Sequence, residues 1–431
     1  MSPEPPTLIV GGGISGLMCA RTLALAGAPV RLLERDPTVG GRVRTTVQRG
    51  FQLDHGFQVL FNAYPVLSAA LDLPALRLRA FRPAAFIAYG GAAPSVIGDA
   101  LADFSLLWPT LRAPSLSLVD KLRMLRLRSF ATSLAFDDCF ADRYDRVSTL
   151  VFLRARGFSE RAITQFFAPF YGGILLDRSL QTSAAVLLYT FKMLAEGRTV
   201  VPAAGMGAIP AQLASALPAG CVCTGHSVQR VLRDGDVVCG VELDSGETIS
   251  ASVVVLACDA PAIAALAATA GVTIAVPERA LGCTTLYFRS AVPLLDGDAL
   301  WLNAAADATV SHAITLSNVA PSYAPTNECL TAATVLGLAA TMSDAELESR
   351  VRSDLRNMGG KSQSGSAELL ATWRVPYAQY VQAPGATARR VGPVTSLTGL
   401  FVASEIGHTS SLEGAARGGI AAANAVLARG T

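Results

Sequence analysis

The first sixteen residues constrain this chain more than any other stretch. Thr7-Leu-Ile-Val10 is short and apolar, Gly11-Gly-Gly-Ile-Ser-Gly16 follows at once, and Leu17, Ala20, Leu23 and Ala24 then recur at helical spacing. Strand, glycine turn and helix in that order suit a dinucleotide pyrophosphate. Gly11 allows the tight turn, and Gly13 clears the backbone where a phosphate nears the helix start, with Ser15 in the same turn. Gly16 lets helix and strand pack closely. A second apolar strand, Val30 to Leu33, ends at Glu34, which follows Gly16 at close to the spacing of about 20 residues at which an acid receives ribose hydroxyls. Glu34 argues against a 2′-phosphate, whereas Arg35 beside it would tolerate one. A plain glycine-rich turn is the alternative reading.

The rest of the chain narrows the classes. With 431 residues, and domains of about 150, two or three units with ample core are expected. Hydrophobic residues make up 51% and charged residues 16%, so disorder is excluded. Net charge is +2, and Lys121, Lys192 and Lys361 are the only lysines, so no basic block suits nucleic acid. The eight cysteines are scattered, and Cys221 and Cys223 lack metal spacing; reduced thiols and no metal are expected. Met1 to Pro6 leaves no room for a signal peptide before the first strand, which points to the cytoplasm. Asp259 and Pro261 divide the apolar run Val253 to Val276 into a strand and an alanine-rich helix, not a membrane span.

Val39-Gly-Gly-Arg-Val-Arg-Thr45 then adds a second glycine pair, Gly40 and Gly41, directly after the acid. A nicotinamide dinucleotide has no use for it; one continuing to an isoalloxazine ring needs a further close backbone passage. GxGxxGLxxAxxL, the strand ending in Leu33-Glu34, and GGRxxT together resemble the FAD fingerprint of the monoamine oxidase, protoporphyrinogen oxidase and phytoene desaturase superfamily. The resemblance implies FAD, with Arg42 and the Gly40-Gly41 backbone against pyrophosphate and flavin. It also implies an α/β fold: a Rossmann-like FAD-binding domain built from three chain segments (1–75, 196–261 and 391–431). A second, α+β substrate-binding domain (76–195 and 262–390) completes this monoamine oxidase-like two-domain fold.

Further motifs extend the resemblance along the chain. Phe51-Gln-Leu-Asp-His-Gly-Phe-Gln-Val-Leu60 is similar to the strand that passes under the flavin, which implies Gly56 and Phe57 near the ring, with His55 an orienting or packed residue. Val200 to Pro210 is similar to the lead into a helix spanning Gln212 to Leu217. His226 to Val231, Val237 to Leu243 and Thr248 to Val255 alternate as a β-meander, and the resemblance sets the Val228 backbone against adenine. Leu400 to Ala403, Ser404-Glu405 and Ser411-Leu-Glu-Gly-Ala-Ala-Arg-Gly-Gly419 match the family's C-terminal motif, except that Ser404 replaces a frequent glycine. Free N–H groups from Leu412 to Ala415 would then favour the negative charge of reduced flavin. An amphipathic helix without a ligand is the alternative.

The same resemblance points to the substrate side. Thr372-Trp-Arg-Val-Pro-Tyr-Ala-Gln-Tyr380 is similar to a site-lining element, making Trp373 and Tyr380 wall candidates, and His408 lies in the loop after Glu405. Phe166 to Gly173 reads as an aromatic helix end, with Tyr171 facing a flat or polyene substrate or simply filling core. Amine-oxidising relatives often hold a water with a lysine on the strand after the meander; Leu281 to Ala291 has none. The expectation is hydride removal from a small lipophilic substrate, an isoprenoid, carotenoid or porphyrinogen, with oxygen or a quinone as acceptor. A non-redox flavin-dependent isomerase or dehydroxylase, or a non-catalytic FAD-binding partner protein, are the rivals. Leu118 to Ala131 carries Lys121, Arg123, Arg126 and Arg128 among leucines, so it is either a peripheral membrane contact or an ordinary helix with a basic face.

Overall fold

The computed structural model describes residues 5–91, 93–359 and 366–429. Met1 to Glu4, part of the segment from which the lack of a signal peptide was argued, and Lys361 lie outside them.

Five short strands form a parallel sheet in the order Val222–Thr224, Val30–Glu34, Thr7–Val10, Val254–Leu256, Leu400–Val402. The last three are buried along their whole length, as apolar strands covered on both faces must be. On one face Ile9, Leu32, Val255 and Phe401 meet the helices Ile14–Leu25 and Leu412–Arg429. Those two helices touch so closely that a Cβ on Gly419 would lie 2.3 Å from the Ser15 carbonyl oxygen. On the other face Leu8, Val10, Val254 and Leu400 pack with Val231, Val241 and Ile263, from an antiparallel layer and the helix Ala260–Thr269.

That layer is Val228–Asp234, Val237–Leu243 and Thr248–Ser250. The expected strand from Thr248 to Val255 is therefore two strands. The chain leaves the meander after Ser250 and joins the parallel sheet at Val254, so the intervening residues cannot pair with both.

A second sheet of seven strands runs Glu368–Tyr380, Ala280–Ser290, Cys329–Leu336, Val310–Thr315, Leu300–Asn303, Ala84–Ala88, Ser95–Gly98. Every pairing is antiparallel except Leu300–Asn303 with Ala84–Ala88. Segment 76–195 is mostly helical in its later part, and its beginning supplies the last two strands of this sheet. The aromatic run from Phe166 to Gly173 does form the last part of a helical stretch, one that ends at Leu175. A π turn, Ile163–Phe167, continues directly into the helix Ala168–Leu175. Pro169 has no N–H to donate, and the widened turn before it accommodates the ring. Among the described residues no helix is long and apolar enough to cross a membrane.

Candidate functional site

The three glycines of the first turn are needed for three different reasons. Gly11 has a φ of 112°, and a Cβ there would come within 2.7 Å of the Ala257 carbonyl oxygen. A Cβ on Gly16 would stand 2.0 Å from the Gly11 oxygen, so only glycine lets this helix start lie against its strand. At Gly13 a Cβ would meet nothing within 4 Å. The fold does not require glycine at that position, whereas a pyrophosphate seated on the helix start does. Gly13 is the N-cap, in extended conformation and with no side-chain cap, so the N–H groups of Ile14, Ser15 and Gly16 are left to an external acceptor.

The second glycine pair closes this cradle. Gly40 N–H donates to the Gly12 carbonyl at 2.8 Å, and a Cβ on Gly41 would sit 3.5 Å from the Gly13 Cα. Glu34 is buried at the edge of the turn, where its carboxylate accepts from Gly12 N–H at 2.7 Å and Asp36 N–H at 2.9 Å. It therefore holds the loop as well as offering lone pairs to a ribose. Arg35 is exposed beside it. His226 N–H donates to the Glu34 carbonyl, which brings the start of the Val228 strand to the same end of the sheet.

Arg42 joins the two ends of the chain. Its guanidinium donates to Glu405 Oε1 at 2.7 Å and to the Ala378 carbonyl at 3.0 Å, and lies 5.5 Å from the centre of the Tyr377 ring. Glu405 is buried and paired by this contact, a partnership that no local spacing could have indicated.

Leu412, Glu413 and Ala415 begin the terminal helix, and here the expectation needs correcting. Ala415 N–H donates to the Ser411 carbonyl at 2.9 Å, and Gly414 N–H to Ser411 Oγ, also at 2.9 Å. Ser411 is thus an N-cap, and Ala415 offers no donor to a flavin; of the four residues, Leu412 and Glu413 keep N–H groups outside these bonds. A proline at Ala415 would break the helix's first internal bond instead of removing a flavin contact. The Glu413 carboxylate accepts from Val66 N–H and Leu67 N–H and from Arg417 Nε, so its charge is spent on a neighbouring helix start and an arginine.

Between the two sheets lies the segment from Asp54 to Phe57. Asp54 accepts from Thr45 Oγ1, Met206 N–H and Tyr323 Oη. Burial raises its carboxyl to about 6 despite these bonds. Tyr287 Oη donates to the Asp54 carbonyl at 2.9 Å, and Phe57 N–H to Thr285 Oγ1 at 3.3 Å, pinning the turn to the seven-stranded sheet. Gly56 has a φ of 90° and would place a Cβ 3.5 Å from Val375 Cγ2. The Phe57 ring meets His312 edge-on at 5.1 Å.

His312 was not singled out by the sequence. It is buried, its Nδ1 has no hydrogen-bond partner, and burial first, then the Arg178 charge, lowers its pKa to about 4. It is neutral at pH 7. Trp373 stacks on His55 with ring centres 4.0 Å apart, and Trp373 Nε1 is likewise buried without a partner. His55 is also tied to Thr46 Oγ1 at 2.8 Å, the arrangement of a packed and oriented histidine.

The four catalytic candidates do not form one constellation. Trp373 joins His55. Seven residues on along the same strand, Tyr380 Oη reaches the Glu405 carbonyl at 3.4 Å and lines a small polar hollow with His408, Asp145 and Arg390. Burial, followed by the charges of Arg390 and Arg417, lowers His408 to about 4. Tyr171 is fully buried, stacked between Phe167 and Phe191, and belongs to the aromatic core of the helical layer. No group of three or more His, Cys, Asp or Glu side chains among the described residues could hold a metal.

The comparisons agree with this geometry. Residues 14–427 match the family described as flavin containing amine oxidoreductase. Curated relatives match over short stretches. The inactive all-trans-retinol 13,14-reductase of Danio rerio is 40% identical over 70 residues, 15% of this chain and 11% of that one. Protoporphyrinogen oxidase 2 of Arabidopsis thaliana is 38% identical over 69 residues, 16% of this chain and 14% of that one. The matched stretch is thus a small fraction of each relative's length. Among solved structures, an oxidoreductase from Methanosarcina mazei superposes with a TM-score of 0.73 at 19% identity, covering 98% of this chain and 100% of that one. A putative protoporphyrinogen oxidase from Exiguobacterium gives 0.73 at 17% with both chains fully covered, and putrescine oxidase bound to putrescine gives 0.71 at 19%, covering 99% of each. At such identities the likeness speaks for the two-domain fold. The match over residues 14–427 places this chain in the flavin containing amine oxidoreductase family.

Proposed function

We propose that the flavin is FAD and that the protein removes a hydride from a small lipophilic substrate, an isoprenoid, carotenoid or porphyrinogen-type molecule, with oxygen or a quinone as final acceptor. The cofactor domain in this reading comprises 1–75, 196–261 and 391–431, and the substrate domain 76–195 and 262–390. FAD is supported by Gly13, where a Cβ would meet nothing within 4 Å, and by Glu34 and Val228 at the far end, where an adenosine would lie. Bound flavin supplies a hydride acceptor.

The observation that carries the substrate reading is the aromatic cluster beside the Gly56-Phe57 turn: Phe57 against His312, and Trp373 stacked on His55. The strand Ala280–Ser290 brings no lysine to it; Lys121 and Lys192 are bound elsewhere, to carbonyls of residues 111 and 113 and to Glu196. Such walls orient an apolar molecule and exclude water, and a C–H bond needs little more from the protein.

The test is anaerobic mixing of the flavin-loaded protein with polyenes, porphyrinogens and amines while the visible flavin band is followed. Bleaching by a polyene or porphyrinogen, with peroxide or reduced quinone formed in equal amount once acceptor is admitted, is expected. Bleaching by primary amines alone would overturn the substrate reading, and bleaching by none of the panel would overturn the oxidase reading.

A further inference from the structure

Eight of the thirteen large apolar side chains that are exposed among the described residues fall between positions 101 and 125. They form two stripes. Phe104, Trp108 and Leu111 follow one another at helical spacing through the short turn Phe104–Leu106 and the helix Leu107–Arg112; Phe104 is 78% exposed and Trp108 66%. Leu118, Leu122 and Leu125 line the outer side of the helix Leu118–Ser133, with Leu118 67% exposed, while Asp120, Leu127 and Ala131 face inward. The Lys121 ammonium binds the carbonyls of Leu111 and Ala113, which holds the end of the first helix against the start of the second and so brings the stripes side by side. The capping box of Ser117 and Asp120 fixes where the second stripe begins. An ordinary surface helix would turn these leucines inward.

Charge says what covers the patch. Over the whole face, Leu101 to Arg126, four basic residues (Arg112, Lys121, Arg123, Arg126) stand against two acids, Asp103 and Asp120, a balance of +2. Asp103 is held by Arg82, and Asp120 is fully buried, where it accepts from Ser117 and Ser159. Arg112 and Arg126 are exposed and carry no ion pair among the described residues, whereas Arg128 is held by Asp99 and Arg123 by Asp120. Exposed aromatic and leucine side chains flanked by free guanidinium groups match a bilayer interface, apolar rings in the acyl boundary and cations at the headgroups. We propose that this face, Leu101 to Arg126, docks the protein on an anionic lipid bilayer as a peripheral, non-spanning contact. The proposal does not depend on which substrate the flavin site takes.

The test uses flavin-loaded protein with phosphatidylcholine vesicles, with and without phosphatidylglycerol. Trp108 is the built-in probe, because Trp301 is buried and Trp373 is packed on His55. Co-sedimentation with the anionic vesicles, a blue shift of tryptophan emission, and its quenching by brominated acyl chains are expected. Arg112→Gln with Arg126→Gln should weaken binding roughly thirtyfold, from about 1 kcal/mol for each charge at the surface. Phe104→Asp with Leu122→Asp should weaken it roughly a hundredfold or more and abolish the shift. Both pairs should keep flavin content and melting temperature, since all four side chains are exposed. Failure to bind anionic vesicles, equal binding by the variants, or a lipid-free emission shift that tracks protein concentration and a dimer in light scattering would each overturn the proposal.

Discussion

The helices Ile14–Leu25 and Leu412–Arg429 lie against one another and begin at the same site, yet their starts are built on opposite plans. The first has a glycine N-cap, no capping side chain and no acid in its first turn, so its N–H groups and positive dipole end are fully available. The second is closed by Ser411 and carries Glu413 in its first turn, with the carboxylate turned onto Val66, Leu67 and Arg417. An open start can bind a doubly charged pyrophosphate tightly. A closed one leaves two donors, which suits a ring that is neutral when oxidised and gains charge on reduction.

The sharpest way to break this contrast is Gly13→Val. A Cβ there meets nothing within 4 Å and the backbone conformation is one valine adopts, so the fold should survive while FAD affinity falls roughly a thousandfold, about 4 kcal/mol. Circular dichroism and flavin content after gel filtration check it; full flavin occupancy would mean that the pyrophosphate lies elsewhere. Glu413→Gln probes the closed start. Removing a buried charge that serves a helix start and an arginine should cost about 3 kcal/mol of folding stability, with FAD affinity little changed. Denaturant titration of apoprotein and holoprotein separates the two, and a loss confined to FAD binding would place Glu413 on the cofactor instead.

Glu34→Ala comes next, at about 2 kcal/mol in FAD affinity. Because the carboxylate also holds Gly12 and Asp36, the glycine turn should become more open to hydrogen exchange; unchanged exchange and affinity would reject both roles. Ser411→Ala is the smallest. Loss of the cap should lower stability by about 1 kcal/mol and free Gly414 N–H, so the flavin potential should rise slightly. A potential that stays fixed or falls would show that this helix start does not face the ring.

What the sequence made readable follows the range of the interactions. The turn from Gly11 to Gly16, the strand ending at Glu34 and the Gly40-Gly41 pair are local patterns, and each glycine's reason could be inferred from spacing before any contact was visible. Arg42 with Glu405, and Phe57 with His312, depend on register between distant strands, and a lone histidine in Ser311-His312-Ala313-Ile314 carries no local mark. At Ala415 the motif was right about the helix and wrong about its donors, since Ser411 looked like loop and is the cap. Tyr171 failed as a pocket candidate for a different reason: an aromatic run looks the same whether it faces a ligand or fills a core.

The parallel sheet draws its strands from both ends of the chain, with Leu400–Val402 beside Val254–Leu256 and Gly419 pressed against Ser15. On a ribosome Thr7–Val10 and its glycine turn emerge long before Leu400–Val402 and must wait for that strand before the sheet can be completed. Pairings this distant in sequence form slowly and leave apolar edges uncovered meanwhile. The nascent protein therefore passes through a long interval in which its nucleotide turn is present but unsupported, and the site is whole only once Leu400–Val402 and Leu412–Arg429 have joined it.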